Sequence, residues 1–245
     1  MPFPSWLRTA QVNARAVWDA REELPGHLAG RIADQLAAYD EFLGPGDGWT
    51  LTDDDRSILP DPATLALVLS AHVYRDAEGV AFPARGYILN VYREGSAGHL
   101  ALRFRVGSAR AVKRMPSNTV QITIAGPLRD GERLSIDSDL VEGVLRGLVS
   151  AWDPDSAAVY DDDDDAAVAA EGRGKFAPVI GQRTWVSDRL GIVQTSTSRV
   201  RVQPGNGGRY LIADETLDSA SAVDEVWASL QANDVTEIHR AVSAR

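Results

Sequence analysis

An α+β fold, a mainly antiparallel sheet flanked by about four helices, is what the 245-residue sequence predicts. Three observations lead there. Stretches with apolar residues every three or four positions bracket runs of alternating, strand-like segments. The strand-like segments follow one another through short turns, the connection that antiparallel pairing allows. No repeat period is visible, so residues 1–245 read as a single domain.

The elements follow in order. Residues 9–18 alternate, with Val12, Ala14, Ala16 and Trp18 on one face, and read as a first strand. Leu24, Leu28, Ile32, Leu36, Tyr39 and Leu43 then mark one face of a helix. Pro25 suits its first turn, and Gly44-Pro45-Gly46 ends it. A turn-rich connection over 45–62 holds Trp49 and Asp53-Asp54-Asp55. Asp61 is placed to cap a second helix, with Leu65, Val68, Leu69, His72 and Val73 inward. Tyr87–Arg93 and His99–Gly107 are strand-like, joined through Glu94-Gly95-Ser96-Ala97-Gly98, and Thr119–Ala125 is a third strand of the group. Asp137 or Ser138 caps a third helix that buries Val141, Val144, Leu145 and Leu148. Residues 153–175 read as an acidic flexible loop. Strands resume at 182–187, 192–203 and 208–213, a last helix spans about 219–232, and 233–245 form a fraying tail.

Composition excludes several classes of function. The chain has no cysteine, which removes disulfide frameworks, thiol catalysis and iron–sulfur sites. Its four histidines, His27, His72, His99 and His239, are scattered, so no metal site and no cofactor are expected. Thirty-five acidic against 25 basic residues give a net charge of −10, the wrong sign for a nucleic-acid footprint. No apolar run approaches the ~18 residues of a membrane span, and the expected location is the cytoplasm.

Catalytic motifs are hard to find. There is no phosphate-binding loop of the G-x-x-x-x-G-K-[ST] type; Gly44-Pro45-Gly46-Asp47-Gly48 follows a helix and reads as its C-cap. Ser96 has Glu94 where a nucleophile elbow needs glycine. A restriction-type nuclease pairs an acid with an acid-x-Lys sequence, but Lys113 has Ala111 two positions back and Lys175 has Arg173. The expectation is a protein that is not an enzyme. A hydrolase with an unrecognised carboxylate site, and a scaffold of a phage-like or secretion apparatus, are the alternatives.

Charge is unevenly distributed. Residues 151–171 contain eight acids and no base, among them Asp153, Asp155 and the run Asp161, Asp162, Asp163, Asp164 and Asp165. Residues 85–114 contain seven bases and one acid, Glu94. Either the acidic stretch meets a basic partner or the two stretches face each other in the fold. Five adjacent aspartates do not match the alternating ligand spacing of an EF-hand.

Several landmarks occur in a recognisable order. Trp18-Asp19-Ala20-Arg21-Glu22 closes a strand and opens a helix containing Ala29 and Arg31; Asp40 and Trp49 follow. Gly86-Tyr87 leads a strand through Asn90, Gly107 lies in the next, and Asn118 precedes a third. A helix then ends in Trp152-Asp153-Pro154-Asp155, Gly181 and Trp185 open a strand, and Gly207-Gly208 precede the last strand and helix. Over residues 10–232 this resembles the immunity protein 52 family of bacterial polymorphic toxin systems. The chain departs from the family pattern in placing Gln182-Arg183-Thr184 between Gly181 and Trp185.

The resemblance implies a non-enzymatic protein that binds and neutralises a cognate secreted toxin and so protects the producing cell. The toxins linked to this family include nucleases of restriction-endonuclease fold, delivered by contact-dependent or type VI secretion. On that reading Asp153, Asp155 and Asp161 to Asp165 are candidate contacts for a basic nuclease. Trp18, Arg21, Glu22, Trp49, Asn90, Gly107, Asn118, Trp152 and Trp185 are expected to be structural, with the tryptophans in the core and Arg21 and Glu22 in ion pairs.

Overall fold

The computed structural model describes residues 10–110, 116–162 and 176–238. Ten strands form one sheet in which every neighbouring pair is antiparallel, as expected for the α+β class. In chain order they are β1 (Gln11–Trp18), β2 (Trp49–Leu51), β3 (Ser57–Ile58), β4 (Tyr87–Gly95), β5 (Gly98–Val106) and β6 (Asn118–Ala125). A separate small hairpin, β7 (Leu128–Arg129) and β8 (Glu132–Arg133), comes next, then β9 (Ser156–Tyr160), β10 (Arg183–Ser187), β11 (Val200–Gly205) and β12 (Gly208–Ala213). Across the sheet the order is β11-β12-β10-β9-β1-β6-β5-β4-β2-β3.

The period of two in each strand sorts residues between two cores. Val12, Ala14, Ala16 and Trp18 point to one face, where α1 (Pro25–Leu43), α2 (Pro62–Ala71) and α3 (Ser138–Trp152) pack. Val17, Val186, Leu211 and Ala213 point to the other, where α4 (Ser219–Gln231) covers the β11–β12 end. The side chains of Asn13 and Arg15 share the face of Val17 but lie beyond α4, in the middle of the sheet, which no helix among the described residues covers.

Helix boundaries follow the caps. Asp61 accepts from the N–H groups of Ala63 and Thr64 at 3.1 and 3.0 Å, and Asp137 accepts from Asp139 N–H at 2.7 Å. The helix of Leu28, Ile32, Leu36, Tyr39 and Leu43 buries that stripe completely. His72 is not a core residue of α2 but its C-cap, with Nδ1 2.8 Å from the Val68 carbonyl and Nε2 3.4 Å from Asp53.

Three stretches differ from expectation. The acidic segment taken as a loop over 153–175 begins with β9, whose five residues are buried on both faces between β1 and β10. Residues 192–199 precede β11 rather than belonging to it, because the N–H groups of Gln194 and Thr195 bond the Asn233 side chain instead of a neighbouring strand. The segment read as a tail from 233 onward starts packed, with Val235 and Ile238 buried against the α4 core. No helix among the described residues is long and apolar enough to cross a membrane.

Candidate functional site

The expected structural residues meet at the joint where β1 ends. The Trp18 and Trp152 rings stack at 5.3 Å, and Phe104 packs on Trp152 at 5.9 Å. The Arg21 guanidinium lies 5.6 Å from the Trp18 ring and donates to the Trp152 carbonyl at 2.9 Å, capping the end of α3. Its ion-pair partner is Glu23 at 3.2 Å, which also holds Arg31 at 3.1 Å. Glu22, expected in that role, is exposed; the turn into α1 directs the next acid inward. Asn118 accepts from Ser108 N–H at 2.8 Å and donates to the Asp19 carbonyl at 2.9 Å.

Asp155 closes the joint from the far end of α3. Its Oδ2 accepts the Asp19 backbone N–H at 3.0 Å. Burial raises its pKa, although the Asp19 N–H and Arg189 favour the charge. Asp153 sits in the left-handed region at φ 43°, ending α3, and both its oxygens accept from Arg189, at 2.7 and 2.8 Å. Arg189 also donates to the carbonyls of Asp153 and Pro154. Asp161 is buried and accepts from Ser219 at 3.1 Å, while Asp162 is exposed. Asp163, Asp164 and Asp165 lie outside the described residues. Of the acidic set named from the sequence, Asp153, Asp155 and Asp161 are thus built into the fold through their own partners.

Trp49, Trp185 and Gly107 are joints as well, whereas Asn90 stands on the other face of β4, beside a shallow hollow. Trp49 donates to Asp40 at 2.8 Å, and buried Arg93 pairs with the same carboxylate at 3.2 Å. Trp185 donates to the Gly205 carbonyl at 3.1 Å. Gly107 has φ +79°, and a Cβ there would stand 2.7 Å from Leu28 Cδ1. Trp18, Trp49, Trp152 and Trp185 are all buried.

Among the described residues, the arginines of 85–105 make no ion pair with the acids of the 151–162 stretch. Arg93 turns to the helix side, and Arg85 lies over Tyr74 and Phe82. Arg103 and Arg105 leave the sheet on the side of Arg15, where no described helix covers it. There the register sets Arg15, Gln121, Arg103 and Asn90 in one row across β1, β6, β5 and β4. The adjoining row holds Asn13, Thr123, Ala101 and Tyr92, and the row on the other side Val17, Thr119, Arg105 and Ile88. Asn13, Asn90, Arg103, Gln121 and Thr123 line a shallow hollow of about 300 Å³.

This face has unsatisfied groups. Among the described residues, the side chains of Arg15, Arg103 and Arg105 make no hydrogen bond or ion pair. Arg15 Nε and Thr119 Oγ1 are buried without a partner. The sequence shows Arg103 and Arg105 as alternating bases, but Arg15 joins them only through the pairing of β1 with β6. At the hairpin end of the same face, Arg133 grips Glu94 with two bonds at 2.6 and 2.8 Å, and His99 Nδ1 lies 3.0 Å from Glu94.

A second, larger concavity of about 730 Å³ runs between α1 and α3, bordered by Arg31, Asp34, Phe42, Asp139, Glu142 and Arg146. Its charged groups are largely paired within the fold, Arg31 with Glu23 and Arg146 with Glu142.

No family model matches the chain, and no curated protein matches it. Among solved structures it is similar to the Pseudomonas aeruginosa T6SS protein PA0821, at 8% identity and a TM-score of 0.48, over 93% of this chain and 73% of that one. A likeness at that level carries neither a fold family nor a function.

Proposed function

We propose that the chain is an immunity protein, a binding protein rather than an enzyme, that neutralises a cognate secreted toxin and protects the cell that makes both. The observation behind this reading is the joint at the end of β1. Trp18 and Arg21, Asn118, and Trp152 and Asp155 come from three separate stretches of the sequence, and they carry the resemblance to the immunity protein 52 family. They stack on or bond to one another or to shared neighbours. The pattern therefore specifies an architecture, as a family pattern does when its members share a fold and differ in their partners.

The toxin proposed is a nuclease of restriction-endonuclease fold, as the resemblance implies. Such an enzyme presents a basic groove for phosphates, and a chain of net charge −10 is drawn toward it. Tight neutralisation needs about 800 Å² buried per partner and a few anchor residues. The test is co-expression with the product of the adjacent gene. A complex that co-purifies, together with restored growth of the host, supports the reading. Absence of both overturns it.

A further inference from the structure

We propose that the face of β1, β6 and β5 that no described helix covers is a docking site for an extended acidic segment of a protein partner. The inference deepens the binding role proposed above and rests on it for the identity of the natural partner. The face itself supplies the chemistry. Arg15 and Arg103 stand in one row two strands apart, about 10 Å at the backbone. Arg105 is two residues along β5 from Arg103, about 6.8 Å away on the same side. Alternate side chains of an extended peptide repeat at that same ~6.8 Å, so two carboxylates on one segment match Arg103 and Arg105 in register. Each guanidinium can take a carboxylate in a two-bond fork.

The polar lining adds what charge alone does not. Asn13, Asn90, Gln121 and Thr123 offer donors and acceptors to a peptide backbone lying in the hollow. In a protein that pairs Arg21, Arg93, Arg133 and Arg189 with acids, three unpaired arginines on one face are a local excess of positive charge. Screening over about 8 Å at physiological salt lets that local excess outweigh the distant net charge.

A carboxylate partner fits better than a polynucleotide. A nucleic-acid footprint engages on the order of 6–10 phosphates, and the chain as a whole carries net charge −10. On a nuclease toxin, an acidic segment lies apart from the phosphate-binding groove. Docking of this kind would hold the toxin from beside its active site.

The experiment uses the full chain and two probes, read by fluorescence anisotropy at low and physiological salt. One is a labelled six-residue peptide alternating glutamate and serine; the other is a labelled 12-nucleotide single-stranded DNA. The variants are Arg103→Gln with Arg105→Gln, Arg15→Gln, and Arg129→Gln on the separate β7–β8 hairpin. The expected result is peptide binding that weakens at least tenfold in Arg103→Gln/Arg105→Gln, weakens in Arg15→Gln, and is unchanged in Arg129→Gln. Thermal melts of the variants should match the parent, because these arginines have no partner in the fold. Failure of the peptide to bind, equal binding by all variants, or DNA binding as tight as the peptide's overturns the proposal. The outcome is separable from that of the immunity reading. If the toxin co-purifies undiminished with Arg103→Gln/Arg105→Gln, the docking face is refuted and the immunity role stands. If the peptide binds but no toxin does, the reverse holds.

Discussion

The indole N–H of Trp152 donates to the side-chain oxygen of Gln35 at 2.7 Å, in a site closed to solvent. The other end of the Gln35 amide donates to the Tyr39 hydroxyl at 2.8 Å, which in turn donates to the Val144 carbonyl at 2.9 Å. One glutamine thus ties α1 to α3 through a chain of buried bonds. Replacing Gln35 with leucine keeps the volume and strands the Trp152 N–H. The expected cost is about 1–3 kcal/mol, read as a lower midpoint in urea unfolding.

Asp155 separates charge from hydrogen bonding. Burial raises its pKa, so the group favours folding below the ordinary carboxylate value of 3.8 and that contribution is lost as pH rises through the folded value. At neutral pH the charge is a burden, whereas acceptance of the Asp19 N–H is an asset. Asp155→Asn keeps an acceptor and removes the charge, and should change stability at pH 7 by less than about 1 kcal/mol. Asp155→Ala leaves the Asp19 N–H unpaired and should cost about 1–3 kcal/mol. Equal losses in the two variants would contradict this division.

His99 makes stability depend on pH near neutrality. Burial lowers its pKa from 6.5 despite the adjacent Glu94. Between the folded value and 6.5 the unfolded chain holds the extra proton, so stability is present above 6.5 and is lost as pH falls through the folded value. Glu94 acts at lower pH: burial opposes its charge, but the Arg133 bonds outweigh that and lower its pKa from 4.5. Urea melts between pH 5 and pH 8 should therefore show stability falling with acid, and His99→Gln should flatten that slope.

Gly107 bears on both backbone and packing. Its φ of +79° disfavours any side chain, and a new Cβ would press on Leu28 of α1. Gly107→Ala should destabilise by about 1–2 kcal/mol from the backbone alone, with a further loss from displacing Leu28. A thermal midpoint equal to the parent's would mean that the turn relaxes without cost.

What the sequence disclosed depended on how each element is buried. The helix of Leu28, Ile32 and Leu36 has one wet face and one dry face, so its period is plain. The same holds for Val120, Ile122 and Ile124 in β6. Strand β9 has no wet face; Ser156-Ala157-Ala158-Val159-Tyr160 lacks alternation and is followed by aspartates, so its central place in the sheet was hidden. The four buried tryptophans, Trp18, Trp49, Trp152 and Trp185, were expected in the core from their bulk and apolar character, and they lie there. Glu23 could not be chosen over Glu22 without the geometry of the turn entering α1. The arginine face was only half legible: alternation gives Arg103 and Arg105, but Arg15 reaches them through a register that sequence periodicity does not encode.

The two ends of the sheet have a consequence for how this protein meets others. A long antiparallel sheet invites growth by strand addition, the route to fibres and unintended dimers. Here one border is the two-residue strand Ser57–Ile58, and the other contains Pro204, which has no N–H to offer. Both borders thus weaken generic backbone pairing, which shifts recognition toward side chains, where each exchange of residues changes the match directly. On the immunity reading proposed above, such a surface can diverge quickly while the sheet beneath it stays the same.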